Sequence, residues 1–584
     1  MQMEEQGSDN VMRRGASKTR RAVYALVLSA LCTLPVFTMI SSSSDAYLAS
    51  LPCLQIAGDS CRAFGYALAT VGFICIAAGS YVIFGKGSAW LDRCDTIRMP
   101  KLFGTAFTRK GVLVTAAIIF ICWIPVLIAL YPCATTTYDT IDELYQAFSE
   151  PPLWYFSTDT VVDASLIDHH PWFDTLVFGA FGWLGRSMGS DSLGLFLYGI
   201  VQTALTSLML GAAICYLERL RVPPVLRLCA LVIVILFPVF PATADTMQKD
   251  SLFSLAFLVY AMMYLEAFRT KGEALKSKRF LIGFAVAAAL CILTKKTGVY
   301  VTGASALVML IALRGVRLRA LVGFAAPAAI CVWLLPAVLF GPLNIAEGGS
   351  QEMLGILYQQ TTTVLKYDPD SVSDDQREAI DRVLDVEAAV RDHKPHSTDY
   401  VKQWARSDAE ADDYAAFLSA WAALGASHPE LYMQSMAQCF TPLLVPSKSL
   451  IVNTNVSQKG VEYYASHAAA IGGEFHLDAE SPAGTQAIAN ALYSFYLYVL
   501  RTVPVFSLFC TMGFYDLWIP LAVLAAVLYS RRRRDACALA PIIFSALFLI
   551  ISPTALARYA ICMVFVAIPA IGWAIRCLRE SRVQ

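Results

Sequence analysis

Residues 111–131 read Gly-Val-Leu-Val-Thr-Ala-Ala-Ile-Ile-Phe-Ile-Cys-Trp-Ile-Pro-Val-Leu-Ile-Ala-Leu-Tyr and contain no charged side chain. A helix that crosses a lipid bilayer needs about 20 such residues. Runs of this kind recur about twelve times, at 22–41, 64–85, 111–131, 192–217, 223–241, 251–269, 280–293, 299–313, 318–340, 513–530, 538–553 and 559–576. The short runs at 280–293 and 299–313 could also form one broken hairpin. The sequence therefore predicts a polytopic α-helical membrane protein with about twelve spans.

The composition agrees with this fold class. Of the 584 residues, 57% are hydrophobic and 15% are charged, whereas soluble domains carry about 25% charged residues. These values exclude a disordered chain, a disulfide-rich miniprotein and an ordinary soluble enzyme. Lysine plus arginine equals aspartate plus glutamate at 45 each. The balance removes the usual argument for a nucleic-acid partner, so we expect none.

The distribution of basic residues predicts the orientation. Cytoplasmic loops are enriched in lysine and arginine, and four basic clusters share one side if every run crosses once: 13–21, 86–110, 271–279 and 531–534. This predicts a multi-pass plasma-membrane protein with both termini in the cytoplasm. Two long acidic segments then lie outside. Residues 132–191 carry nine acids and one base, and residues 341–490 carry 21 acids and nine bases.

The spans and loops divide the chain into four segments. Residues 1–110 form a cytoplasmic N-terminus with two accessory spans. Residues 111–340 form a transmembrane core whose first outer loop is 132–191. Residues 341–490 form an outer helical domain. Residues 491–584 hold an interfacial helix, three final spans and a cytoplasmic tail.

Local signals refine two of these segments. In the outer domain, three stretches match the reciprocal capping box that begins many helices, namely Ser373–Gln376, Ser407–Glu410 and Ser427–Glu430. In the N-terminal segment, Cys53 and Cys61 share one outer loop. They could form a disulfide or remain thiols.

The first outer loop of the core contains the strongest catalytic candidate. Asp139 follows a span closely, and apolar surroundings near the bilayer would raise its pKa and suit it to act as a general base. The plainer interpretation is that Asp139 caps a short helix. Further along, His169-His170-Pro171 precedes an apolar stripe with helical spacing, which predicts an amphipathic helix on the membrane surface. The two histidines could also be metal ligands.

Three further outer positions carry charges close to the membrane. Asp245, Lys249 and Asp250 lie in a short loop between two spans, where they suit a phosphate oxygen or a divalent cation, or only solvate the loop. Lys295, Lys296 and Arg558, which precedes Tyr559, lie on the predicted outer side, where lysine and arginine are depleted. They indicate an anionic headgroup partner, although snorkelling to lipid phosphates explains them as well.

Together these residues resemble the motifs of the GT-C superfamily of membrane glycosyltransferases, which includes protein O-mannosyltransferases and aminoarabinose transferases. Tyr138-Asp139-Thr140 looks like the acidic site of the first outer loop, and His169-His170-Pro171 looks like its His-Pro motif. Asp245 and Lys249-Asp250 are similar to the acidic second loop, Thr294-Lys295 to the Thr-Lys motif, and Arg558-Tyr559 to an Arg-Tyr pair near the last span. The pattern is closest to bacterial members with a helical outer insert and covers 111–576.

The resemblance implies an inverting transfer of a sugar from a polyprenyl-phosphate donor to a glycan, lipid or protein acceptor outside the membrane. Asp139 would be the catalytic base. Donor and substrate would be bound by His169, His170, Asp245, Lys249, Asp250, Lys295, Lys296, Arg558 and Tyr559. Because the second loop lacks a compact Asp-x-Asp, a divalent cation (Mg or Mn) on Asp139 and Asp250 stays open.

Two other functions remain as alternatives. A transporter or flippase of lipid-linked glycans would have polar residues buried in its spans, and the sequence shows none at the middle of a run. A non-catalytic surface sensor would use the outer helical domain as a binding module. In a sensor the acids of the outer loops would be dispensable.

Overall fold

The computed structural model describes residues 2–43, 48, 54–97, 106–133, 137–349, 351–445, 450, 456–502, 504–550 and 555–581. The structure is 78% helical. The first thirteen α-helices are α1 (Gln2–Ser42), α2 (Cys61–Asp95), α3 (Arg109–Ala129), α4 (Tyr138–Phe148), α5 (Trp172–Ser187), α6 (Asp191–Arg219), α7 (Pro224–Leu236), α8 (Val239–Ala244), α9 (Lys249–Arg269), α10 (Lys278–Thr294), α11 (Gly298–Ala312), α12 (Arg317–Ala329) and α13 (Leu335–Leu339).

Three short strands lie between α4 and α5, namely β1 (Leu153–Tyr155), β2 (Thr160–Val162) and β3 (Leu166–Asp168). A fourth, β4 (Ile345–Glu347), follows α13. The remaining helices are α14 (Gln351–Tyr367), α15 (Asp374–Asp381), α16 (Val386–Asp392), α17 (Asp399–Lys402), α18 (Ala411–Ser427), α19 (Pro429–Leu444), α20 (Gln458–Ala470), α21 (Ala483–Thr502), α22 (Pro504–Phe509), α23 (Ile519–Tyr529), α24 (Arg533–Ala536), α25 (Ala540–Ile550) and α26 (Ile561–Glu580). Two π-helical turns, Ile330–Leu334 and Phe514–Trp518, lie before α13 and α23.

Every apolar run that the sequence predicts as a span overlaps at least one helix of the described residues. The run 223–241 is divided between α7 and α8, and the run 318–340 between α12, a π-helical turn and α13. Among the described residues, seven helices are long and apolar enough to cross a membrane: Lys18–Ser41, Cys61–Asp95, Arg109–Ala129, Asp191–Arg219, Lys249–Arg269, Arg314–Leu339 and Ala557–Glu580. The other predicted spans correspond to shorter helices. Leu34, Ile121 and Leu318 are largely exposed on the long helices, as is typical of surfaces that contact lipid. The chain is therefore a helical protein suited to insertion in a membrane.

The centre of the helical bundle is formed by α6, α9 and α26. Its largest fully buried side chains include Tyr260, Phe565 and Trp573. Tyr260 stacks on Phe284 of α10 at 5.1 Å between ring centroids. Because α9 and α26 lie at this centre, their N-terminal ends occupy fixed positions next to the first outer loop.

Residues 132–191 and 341–490 contribute to two hydrophobic cores. One contains Tyr145 and Trp154 of the first outer loop together with Tyr464 and Phe475 from the end of the outer domain. The other is formed within α14–α19. Strands β3 and β4 pair in parallel, with Asp168 opposite Glu347. Within the described part of residues 341–490, α14–α19 contribute to the second core, whereas Tyr464 and Phe475 contribute to the first.

Helix α5 confirms the predicted helix after His169-His170-Pro171 and shows how it packs. Of its predicted apolar stripe, Leu176, Ala180 and Leu184 are exposed, whereas Phe173, Val177 and Phe181 are half-buried. The buried face carries Asp174, Phe178 and glycines, of which Gly179 lies against Ala147 of α4. The apolar side chains on the exposed face suit contact with lipid.

Two of the three predicted capping boxes are wrong. Ser373 forms the box with Gln376 as expected. Helix α18 instead begins after Glu410, which forms a box with Asp413, and it continues through Ser427. Ser427 therefore cannot cap the next helix, which follows His428. Cys61 is buried, and Cys53 lies outside the described residues.

Candidate functional site

The N-terminus of α4 positions Asp139. The helix cap is Thr137, whose hydroxyl accepts the backbone N–H of Thr140 at 3.4 Å. Asp139 lies in the first turn without capping the helix. Its carboxylate contacts two cations instead: Arg558 Nη2 lies 2.7 Å from Oδ2, and Lys249 Nζ lies 2.9 Å from the same oxygen.

These contacts correct the predicted pKa of Asp139. Burial alone would raise the pKa of this carboxyl, as the sequence suggested. Arg558, Lys249 and His170 oppose that effect and hold the pKa of Asp139 well below its usual range. Asp139 is therefore a stable carboxylate in the resting protein, and it becomes a useful base only if these cations are drawn away.

Asp250 forms the second half of the same ion-pair network. Its Oδ1 accepts from Lys295 Nζ at 2.6 Å, and its Oδ2 lies 3.4 Å from Arg558 Nε. The Lys295 ammonium also lies 4.6 Å from the centroid of the Tyr559 ring. The network thus joins residues from four separate parts of the sequence. It contains three cations and two carboxylates.

Helix ends place most of these groups. Lys249 and Asp250 are the first two residues of α9, and an acid in a first turn is favoured by the helix dipole. Lys295 follows directly after α10, where a cation is favoured for the same reason. Arg558 lies in the short 3₁₀ turn Ala557–Ala560 that precedes α26.

His170 contacts the network through Lys249. Its Nδ1 lies 2.7 Å from Lys249 Nζ, and its Nε2 lies 3.6 Å from Asp142 Oδ2. Burial and the Lys249 charge lower the pKa of His170 well below its usual range, so the ring is neutral. Since an ammonium only donates, Nδ1 accepts from Lys249 and the ring proton resides on Nε2, facing Asp142. His170 therefore positions Lys249.

His169 and Lys296 lie beside the network and outside its ion pairs. His169 Nδ1 is 3.0 Å from the Tyr155 hydroxyl, and its Nε2 is 3.9 Å from Glu352 of the outer domain. Lys296 Nζ lies 3.1 Å from Asp168 Oδ2. These two predicted residues connect the first outer loop to its surroundings.

Asp245 also lies outside the network. It is buried, and neither carboxylate oxygen has a hydrogen-bond partner among the described residues. Its Oδ1 approaches Gly199 of α6 so closely that a Cβ at that position would clash. Burial raises the pKa of Asp245 well above its usual range. Burial therefore favours the neutral, protonated form of the Asp245 carboxyl.

The sequence interpretation missed three buried acids near the network. Asp142 and Glu143 lie on α4, and Asp174 lies on α5. Burial raises the pKa of each one. A signal for the first two was present, because residues three and four positions after Asp139 share its helix face.

We expect Asp142→Asn to weaken the pH dependence of stability. Burial raises the pKa of Asp142 to about 7, and Asp139 adds to this effect. An aspartate in the unfolded chain ionises at about pH 4. Between about pH 4 and about pH 7, the folded protein therefore binds one more proton at Asp142 than the unfolded chain does. The stability from protonated Asp142 is complete below about pH 4 and is lost as the pH rises to about 7, at roughly 1.4 kcal/mol per unit.

Thermal unfolding of the purified protein in detergent measures this effect. Between about pH 5 and about pH 8, Tm of the Asp142→Asn variant should fall less than Tm of the wild type. The control is Asp163→Asn, which changes an exposed acid of the same loop. Equal falls in Tm for Asp142→Asn and the wild type would show that Asp142 does not hold the proton.

A cavity of about 290 Å³ opens beside Asp139 and Arg558. Its wall also includes Tyr138, Thr246 and Gln248. This volume is near the lower end of small-molecule binding sites. The Asp139 carboxylate and the Arg558 guanidinium, which contact each other in the network, thus both line a space open to a small ligand.

The arrangement does not fit the divalent cation considered for Asp139 and Asp250. Both carboxylates are already paired with lysine and arginine. Within the described part of the chain, no three histidine, cysteine or acidic side chains are grouped so as to hold a metal ion. Mg²⁺ and Mn²⁺ prefer several oxygen ligands, so we derive no step through a metal.

Comparison with known proteins adds one finding. A protein-family model, described as a family of unknown function (DUF6020), matches residues 158–584. The match includes His170, Lys249, Lys295 and Arg558, and it begins after Asp139. No curated protein matches the chain.

Proposed function

Because the chain belongs to the DUF6020 family, whose function is unknown, we propose from its own site that it is a membrane glycosyltransferase of the GT-C type. The donor is a sugar linked to polyprenyl phosphate, and the acceptor belongs to the cell envelope. Transfer takes place at the outer face of the plasma membrane. The proposal includes about twelve spans and both termini in the cytoplasm.

The observation that carries the proposal is the ion-pair network beside the cavity. Its cations Lys249, Lys295 and Arg558 exceed the carboxylates of Asp139 and Asp250 by one charge. A sugar phosphodiester carries one negative charge, and the phosphate gains a second charge as the sugar leaves. Fixed cations at this position favour the transition state because the charge develops next to them.

In the proposed reaction, an acceptor hydroxyl attacks the anomeric carbon of the sugar. Asp139 takes the hydroxyl proton as the new carbon–oxygen bond forms. The bond between the anomeric carbon and the phosphate oxygen breaks, and its electron pair remains on the phosphate. Attack opposite to the leaving phosphate inverts the anomeric centre.

The low pKa of Asp139 gives the donor a second role. Arg558 and Lys249 both contact Asp139 Oδ2 in the resting site, which makes the carboxylate a weak base. A bound phosphate competes for the same cations. As they shift toward the phosphate, the pKa of Asp139 rises, so the base is strengthened only when the donor is present.

A flippase is the second candidate, and one observation favours it. Asp516 is buried in the π-helical turn Phe514–Trp518, inside a predicted span, and neither carboxylate oxygen has a hydrogen-bond partner among the described residues. Buried acids within membrane spans often mark transport paths. The surface-sensor alternative has no comparable feature in its favour.

The leaflet in which lipid-linked sugar accumulates separates these functions. In the native host without the gene, a transferase predicts accumulation in the outer leaflet, where a membrane-impermeant oxidant destroys the sugar. A flippase predicts accumulation in the inner leaflet, where the sugar is protected. A sensor predicts no accumulation. Re-expression of the wild-type chain is the control, and protected or absent donor would contradict the transferase.

A further inference from the structure

Four aromatic side chains form one group beside Asp139, which we call the aromatic platform: Tyr138, Trp154, Tyr463 and His467. The rings of Tyr138 and Tyr463 meet edge to face at 5.8 Å. Trp154 stacks on His467 at 3.7 Å and contacts Tyr463 at 5.4 Å. The platform joins the first outer loop to α20 through contacts between these rings.

Two rings of the platform are open to a ligand. Tyr138 is 49% exposed and Tyr463 is 39% exposed. Tyr138 and Asp139 line the same cavity. A ligand on the platform would therefore lie next to the proposed base.

The surroundings of Tyr463 indicate an aqueous surface. On the same helix, Lys459, Glu462 and Ser466 are also exposed. A surface with two charged residues and a serine does not suit the hydrocarbon region of a membrane. Tyr463 is therefore not placed as an aromatic anchor in lipid would be.

The platform also offers a hydrogen-bond acceptor. His467 Nδ1 lies 2.9 Å from the carbonyl oxygen of Tyr463. Because a carbonyl oxygen only accepts, Nδ1 must carry the proton. When only Nδ1 carries a proton, Nε2 is the acceptor of the ring. Tyrosine hydroxyls add groups that donate and accept.

The size and chemistry of the platform select one class of ligand. A stable protein partner would cover about 800 Å² on this side, whereas an aromatic side chain offers at most about 150–250 Å², so two partly exposed rings are too small for one. A sugar ring has an apolar face of C–H groups that packs on an aromatic ring, and hydroxyls at its edge that bond to side chains such as His467.

We propose that the aromatic platform binds a sugar ring of the acceptor, so that the acceptor is a glycan. The inference rests on the proposed transferase function and specifies its substrate class. The bound ring lies against Tyr138 and Tyr463 and directs a hydroxyl toward Asp139. Lipid and protein acceptors would not use this surface.

Photo-crosslinking in intact cells tests the chemistry of the occupant. We would replace Tyr463, Tyr138 or the distant exposed Tyr367 with p-benzoylphenylalanine, irradiate the cells and purify the protein. Periodate-sensitive, sugar-containing adducts at positions 463 and 138, and none at 367, are the expected result. A peptide or lipid adduct, or no adduct in protein that still restores the surface glycan, would overturn the proposal.

Conventional variants provide a second measurement if the bulky probe prevents folding. Tyr463→Ala should lower sugar transfer about tenfold through lost stacking, while Tyr463→Phe should keep most of it and Tyr367→Ala should have no effect. Equal transfer by Tyr463→Ala and the wild type, at equal protein levels, would reject the platform.

The outcomes also separate this proposal from the function on which it rests. A sugar adduct together with an active Asp139→Asn variant would reject the catalytic assignment but keep the sugar site. A lipid or peptide adduct together with an inactive Asp139→Asn variant would keep the transferase but reject a glycan acceptor.

Discussion

Replacement of Asp139 by asparagine is expected to reduce sugar transfer by about 10²- to 10⁴-fold. An amide cannot take the acceptor proton, although its oxygen still accepts hydrogen bonds from Arg558 and Lys249. The side chain keeps its size, and Arg558 and Lys249 keep their contacts with Asp250 and His170, so the protein should remain folded. The measurement is the amount of surface glycan in a host that lacks the gene and expresses the variant, normalised to the amount of protein in the membrane.

The matched control for Asp139 is Asp163→Asn. Asp163 is an exposed acid of the same outer loop, and it lies outside the ion-pair network. Its replacement should leave the glycan at the wild-type level. Full restoration by stable Asp139→Asn protein would show that Asp139 is not the base.

Replacement of Arg558 by alanine is expected to have the next largest effect, on both transfer and stability. The guanidinium contacts Asp139 at 2.7 Å and Asp250 at 3.4 Å. Its removal leaves Asp139 paired with Lys249 and Asp250 paired with Lys295. Because each carboxylate keeps one cation, the loss of stability should be smaller than the roughly 3–5 kcal/mol of a buried charge left without any partner. Loss of the phosphate-binding cation should also lower transfer by about 10²- to 10³-fold.

Arg558→Lys should recover little of this loss. A lysine presents a single ammonium in place of the planar guanidinium, so it cannot keep the contacts that Arg558 makes through Nη2 and Nε. Transfer per folded molecule and Tm in detergent measure the two effects separately. Arg391→Ala, which removes an exposed surface ion pair, serves as the control. Wild-type transfer by Arg558→Ala would exclude Arg558 from donor binding.

Sequence reasoning worked best where the determining interactions are local. Hydropathy over about 20 residues is enough to locate a membrane helix, and each predicted run overlaps at least one helix of the described residues. The capping box at Ser373 also depends only on four neighbouring residues. The box predicted at Ser407 was wrong because α18 begins after Glu410. A four-residue motif alone did not determine where this helix begins.

The members of the ion-pair network were predictable from the sequence, but the electrostatics of the network and the buried acids beside it were not. Asp139, Lys249, Lys295 and Arg558 were expected on one side of the membrane, and the structure brings them into one network. The direction of the pKa shift of Asp139 depends on distances of 2.7 and 2.9 Å to two cations. Those distances arise from the packing of α9 and α26, which no local pattern records.

The parallel pairing of β3 with β4 has a practical consequence for engineering this chain. His169 and His170 follow β3 directly, and β4 precedes the outer helices. Excision of residues 341–490 would remove the partner of β3 together with Tyr464 and Phe475. The insert is therefore not an interchangeable cassette. A chimera that exchanges outer domains between relatives must therefore exchange the first outer loop and residues 341–490 together.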